Sequence, residues 1–304
     1  MLERQKIDAG DNSNTVMVGR DINQVTNGVT YGEVKEICSD LFELNFYRLK
    51  SEAESVAVAR AEMLINDFIS KLEKQNNIKT AVFQDPDMQY ALVNAQIAYA
   101  KSGDEVIEDL LVSLLIERVN SDEDELSKII LNESLNVINL LTKEHLNILA
   151  VIFLMRYVKL DSPNKSEIIN HFSFILSLME ECSHINAEII FDHLAYSRCT
   201  SPTSGFMYSA SATLRDYIEQ YFGVPVPENL NDIETLLKND KCFDKIIQIW
   251  DRSRLCSAFL TSVGKSVAIA YIRSKELMLP YSDWLNCNSS SESELGARLF
   301  IDVE

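Results

Sequence analysis

From Glu33 to Lys74 the chain contains neither glycine nor proline. Apolar side chains recur there at three-and-four spacing: Phe42, Phe46, Leu49, Ala53, Val56, Ala57, Ala61, Leu64, Phe68 and Leu72. Such periodicity lines one face of a helix and fits no strand. One continuous helix is therefore expected, bounded by Gly32 and by Gln75-Asn76-Asn77. At 1.5 Å per residue it would span about 60 Å, more than the diameter of a small domain. A rod of that length lies across a helical body or packs against its own copies, and Ala53, Ala57, Ala59 and Ala61 permit close approach.

Further helices are expected at 88–101, 104–119, 123–141, 143–158, 165–181 and 186–196. Each follows a start signal, such as Ser102-Gly103 before an acidic first turn or Thr142 before Lys143-Glu144. The links between them are short, which makes neighbouring helices antiparallel. The most apolar window, Ile148 to Met155, is closed by His145 and Arg156. It falls far short of the roughly 20 residues a membrane-spanning helix needs, so it reads as a buried helix. No internal repeat is evident.

The first thirty residues differ in kind. Gly10, Gly19 and Gly28 stand nine apart, with Val16, Val18, Ile22, Val25 and Val29 between them. Alternation of this sort, broken by Gly and Asn, reads as two or three short strands with tight turns. The segment has too few large side chains for a core of its own, so its strand edges need a partner. A second copy would supply one, with Asn12, Asn14 and Asn23 bonding along the shared ladder. A loose terminal arm is the alternative.

The chain carries 28 Lys and Arg against 46 Asp and Glu, a formal charge of −18, which opposes wrapping of a phosphate backbone by the whole surface. Ten acidic residues crowd between Asp104 and Glu133 with only Arg118 and Lys128 among them, as on a solvated face. The sign reverses between Lys241 and Lys275. There Lys241, Lys245, Arg252, Arg254 and Lys265 could form a basic face for nucleic acid, although the aromatic interleaving of a single-strand groove is missing. Ser, Thr, Pro and Gly cluster in Cys199 to Gly205 and suggest a linker. The expected division is thus a β-rich segment over 1–31, a helical body over 32–200 and a C-terminal unit over 205–304, with helices at 211–222, 233–239, 243–252 and 267–277. Within that unit, residues 257–273 (SAFLTSVGKSVAIAYIR) resemble the last strand and closing helix of winged-helix domains.

No catalytic constellation emerges, and no cofactor or metal is implied. Cys38, Cys182, Cys199, Cys242, Cys256 and Cys287 are scattered without a C-x-x-C pair, which fits a reducing compartment and a cytoplasmic protein. His171, His184 and His193 have no second His or carboxylate at i+3 or i+4 in a pattern that would close a metal site, apart from Glu188. Asp192 and His193 are adjacent on a helix and point about 100° apart. Gly264-Lys265-Ser266 would need a glycine where Phe259 stands to cradle a phosphate.

Taken together, GDNSN and GRDIN in the leader, SDLFELNFYRL, QDPDMQYAL, AYAKSGDEVIEDLLVSLL, ILNESLNVI and LTSVGKSVAIA resemble an uncharacterised bacterial family designated by locus tags. Leaders similar to this one precede effector or scaffold modules of bacterial conflict and anti-phage systems. The resemblance implies a defence or stress role and carries over no catalytic residue. The expectation is a mainly α protein: a multi-helix body with a long N-terminal helix, a short β-strand oligomerisation segment before it and a small winged-helix-like unit after it. Its function would be that of a self-assembling, non-enzymatic scaffold or sensor. The partners would be itself and another protein of the same system, with nucleic acid less favoured and no membrane. A nucleic-acid-linked regulator and a nuclease-like effector built from scattered carboxylates are the alternatives.

Overall fold

The structure, a computed structural model, describes residues 31–45, 51–74, 80–121, 125–201 and 207–275. Within them the chain is overwhelmingly helical. The body comprises α1 (Tyr31–Asn45), α2 (Ser51–Glu73), α3 (Pro86–Ser102), α4 (Glu105–Asn120), α5 (Glu125–Val137), α6 (Lys143–Arg156), α7 (Lys165–Glu180) and α8 (Glu188–Tyr196). Past it come α9 (Ala210–Leu214), α10 (Ile218–Phe222), α11 (Leu230–Leu237), α12 (Lys241–Arg252) and α13 (Ser262–Ser274). A two-residue strand, β1 (Thr200–Ser201), pairs antiparallel with β2 (Phe259–Leu260). No helix among the described residues is long and apolar enough to cross a membrane.

The caps explain why the helix starts are legible. Asp85, Asp104, Thr142, Asn164, Asn229, Asp240 and Thr261 each accept a bond from a backbone N–H of the turn they open. Pro86 follows its cap at the first helical position, where its missing N–H costs nothing. α3 and α10 stop at Gly103 (φ +60°) and Gly223 (φ +69°), the left-handed conformation that glycine adopts most readily. The expected helix over 123–141 ends in a 3-10 turn, Ile138–Leu140, and the one over 211–222 is divided by another, Arg215–Tyr217.

The single long rod is not formed. α1 ends at Asn45, α2 begins at Ser51, and the two helices lie against each other. Lys35, Ser39 and Phe42 of α1 line one groove with Val58, Glu62 and Ile65 of α2. In a straight helix Lys35 and Ile65 would stand about 45 Å apart. The stripe that reads as a rod buries itself instead in a helical hairpin: Val34 and Cys38 join Leu64 and Phe68 in the main core, and Phe42 packs with Ala57 and Ala61.

α6 is the axis of the molecule. Every residue from His145 to Met155 is buried, as is every residue of α13 from Ser266 to Ile272. α13 packs against α4, α5 and α6, so a helix from beyond the expected linker lies in the middle of the body. One continuous core runs from Val34 to Ile272. At the expected linker, Cys199 is buried and its carbonyl accepts the Thr261 N–H at 3.1 Å. β2 and the start of α13 stand where the winged-helix resemblance places a strand and a helix. The strand's partner is β1, however, and the described residues contain no further strand to build a wing.

Candidate functional site

The leader positions Gly10, Asn12, Asn14, Val16, Val18, Gly19, Ile22, Asn23 and Gly28 lie outside the described residues. The basic positions are described, and three of them are engaged within the chain. Lys245 of α12 reaches Glu180 of α7 at 2.7 Å. Arg254 lies 3.2 Å from Asp192 and 3.6 Å from Glu188 of α8, with its guanidinium over the Phe191 ring. The Lys265 ammonium sits 4.2 Å from the centre of the Tyr157 ring. Of these basic positions, only Lys241 and Arg252 stand exposed without an ion pair among the described residues. Two of the five named cations, Lys245 and Arg254, are thus matched to acids of the body.

Three of the four histidines gather at the N-terminal end of α6. His145 closes a capping box with Thr142: its Nδ1 accepts the Thr142 N–H at 3.0 Å, which leaves the proton of the neutral ring on Nε2. That Nε2 is buried with no partner among the described residues. His193 of α8 stacks on the same ring, centroids 4.9 Å apart, and its own Nε2–H donates to the Leu140 carbonyl at 2.7 Å. Burial, and secondarily the neighbouring His193, holds His145 below the usual imidazole range. His184 completes the group by donating from its backbone N–H and its ring Nδ1 to the Glu144 carboxylate.

A polar chain runs beside this cluster from the buried Tyr271 and Asn147 to the exposed Glu181 and Lys143. Tyr271 of α13 donates to Asn147 at 2.7 Å, and Asn147 donates to Glu181, which Lys143 holds at 3.0 Å. Nearby Cys182 is pushed up to about 12 by burial and bonds to the Leu178 carbonyl, so it presents no thiolate. Both Glu144 oxygens are engaged by His184, leaving no free base. The cluster pins α8, α13 and the end of α7 onto α6. No group of three or more His, Cys, Asp or Glu among the described residues is arranged to hold a metal. Sequence reasoning misses His145 as a member of a histidine group because His193 lies far from it along the chain. The capping-box spacing from Thr142 is the available signal.

Apolar side chains also face outward from this frame. α8 buries Phe191 and Leu194 yet leaves Ile189 75% and Tyr196 78% exposed. Leu140, bonded to His193, is 43% exposed, and Ile129 of α5 is 59% exposed. Charges of both signs rim the patch: Arg198 lies 3.0 Å from Glu133, and Arg254 lies by Asp192 and Glu188. Arg198 itself takes a left-handed backbone (φ +60°) at the end of α8, a strained choice for a side chain with a Cβ. It is held there by Glu133 and by the Thr261 hydroxyl, which donates to its carbonyl at 2.5 Å. Exposed apolar side chains beside paired charges mark an interaction site more often than a catalytic one.

No curated protein and no solved structure matches the chain. A family model does match, over residues 28–236, from α1 and the residues just before it to α11. With more than half of its length covered, the chain belongs to that family, a "-like" family named only after a locus tag.

Proposed function

We propose that this protein is a self-assembling, non-enzymatic scaffold or sensor, acting in the bacterial conflict setting that its leader resembles. The observation that carries the proposal is the exposed edge of α8. Ile189 and Tyr196 project from a helix whose opposite side is locked to the core, and Glu133, Asp192, Arg198 and Arg254 surround them. A patch with an apolar centre and both signs of charge at its rim is self-complementary, as an isologous contact between two copies requires. The occupant proposed for it is a second copy of this chain, with the leader adding strand pairing between copies. Of the cations on which the nucleic-acid alternative rests, Lys245 and Arg254 are paired within the chain.

Light scattering of the full chain tests the proposal. A multimer at micromolar concentration is expected, and Ile189→Glu with Tyr196→Glu should lower its mass while leaving the helical circular dichroism unchanged. Both positions are exposed, so the fold is not at risk. A full chain that is monomeric, or a double variant of unchanged mass, overturns the α8 contact. Removing residues 1–30 separately reports the leader's share.

A further inference from the structure

An open cleft of about 450 Å³ lies between α7 and the start of α12, within the range that accommodates a small organic ligand. Its lining is aromatic: Phe243 meets Tyr221 at 4.6 Å and Phe172 at 5.4 Å between ring centroids. The one carboxylate in the lining is already engaged. Asp240 accepts the backbone N–H groups of Cys242 and Phe243 as the cap of α12, and the Tyr221 hydroxyl donates to its other oxygen at 2.7 Å. The cations are not so engaged. Lys241 lines the cleft, exposed and without an ion pair among the described residues. Lys165 places its ammonium 4.8 Å from the centre of the Tyr221 ring. In a chain of net charge −18, a cleft with Lys241 in its lining and Lys165 beside its Tyr221 wall is set apart from the rest of the acidic surface.

We infer that this cleft binds a small planar aromatic anion, its ring against Tyr221 and its charge between Lys165 and Lys241. Aromatic walls favour a flat ring by offset stacking. Two ammonium groups reject a cation and gain charge-assisted hydrogen bonds from a phosphate or carboxylate. Burial holds the Cys242 thiol above its ordinary range, so the cleft binds without covalent capture. The inference does not rest on the assembly reading, because none of these side chains belongs to the α8 patch.

Calorimetric titration of the full chain with adenosine 5′-monophosphate and with 4-nitrophenyl phosphate tests it, with adenosine and inorganic phosphate as controls. Saturable binding of at least one planar phosphate is expected, with a dissociation constant of roughly 1 mM or below. Each control should bind about tenfold more weakly or worse. Lys165→Glu with Lys241→Glu should weaken binding by about tenfold or more. Both lysines open their helices, where a glutamate suits the dipole, so the variant keeps its fold. Tyr221→Leu should have a similar effect. The absence of saturable binding by either phosphate overturns the inference, as does an affinity unchanged in the double lysine variant or adenosine binding as tightly as its monophosphate. Light scattering of the same samples reads assembly separately, so the two proposals can fail independently.

Discussion

Arg118 is the residue whose role the chain conceals best. Its side chain is fully enclosed, with Nη2 2.6 Å from Asp87 and 3.7 Å from Asp85, and Nε 3.2 Å from the Asn132 oxygen. Asn132 in turn donates to both Asp87 oxygens. Through this knot the start of α3 is tied to α4 and α5, and the guanidinium holds Asp87 below the usual carboxylate range. Asp87→Ala would leave the buried cation with only the longer Asp85 contact and should destabilise the fold by about 3 kcal/mol, the low end for such pairs because Asp87 is half exposed and Asp85 remains. Arg118→Met removes the charge while roughly keeping the volume and should cost markedly less. Urea midpoints at constant m-value measure both. Equal losses would mean that the site acts through packing alone. In the sequence Asp85-Pro86-Asp87 reads as a turn, and nothing local names Arg118, a full helix further along the chain, as its partner.

At the scale of elements, the approach of α13 to β1 is the tightest joint. Thr261 caps α13 by accepting the Gly264 N–H at 3.1 Å, while its hydroxyl donates back to the Arg198 carbonyl. A Cβ on Gly264 would overlap the Cys199 carbonyl oxygen, a backbone atom that cannot swing aside. Gly264→Ala should therefore destabilise by about 3 kcal/mol, well beyond an ordinary helix substitution, and should loosen β1–β2 pairing. Thermal unfolding beside Ser262→Ala, at an exposed position just before it in the same turn, checks this, and similar midpoints for the two variants would refute it. Here the sequence is half legible. LTSVGKS reads by resemblance as a strand end and a helix start and its spacing argues against a nucleotide loop, but the helix expected from residue 267 begins at Ser262, under a Thr261 cap that the sequence reading does not name. The glycine's actual purpose, close approach to a carbonyl in a distant stretch of the chain, leaves no local mark. The α1–α2 hairpin is the opposite case: the stripe is plain and its partner is not, because one stripe suits a rod and a hairpin equally well.

For the whole molecule, acid should be the revealing stress. His171 is buried against Phe172, and burial lowers its pKa to about 4; His145 is shifted in the same direction. A histidine lowered in the folded state leaves the unfolded chain binding more protons, so stability falls as pH drops from the unfolded value near 6.5 toward about 4. His171 alone should account for about 3 kcal/mol across that window. Urea unfolding at pH 7 and pH 4.5 measures the loss, and His171→Phe should remove most of it. A variant that loses as much stability as the native chain would show that other groups govern the response.

Helical class, the Thr142 cap and the approximate bounds of most body helices could be read from the order of residues, while the Asp104, Asn229, Asp240 and Thr261 caps were not named there. Those properties are written within one or two turns of chain, in three-and-four spacing and in the residue before each first turn. Packing in three dimensions was needed to show that α1 folds back on α2, that His145 stacks on His193, that Arg118 closes on Asp87, and that Tyr221 and Lys241 line one cleft. Each of these joins faces that meet only after the helices have gathered around α6. Such choices depend on which surfaces coincide in space, and local periodicity is silent about that.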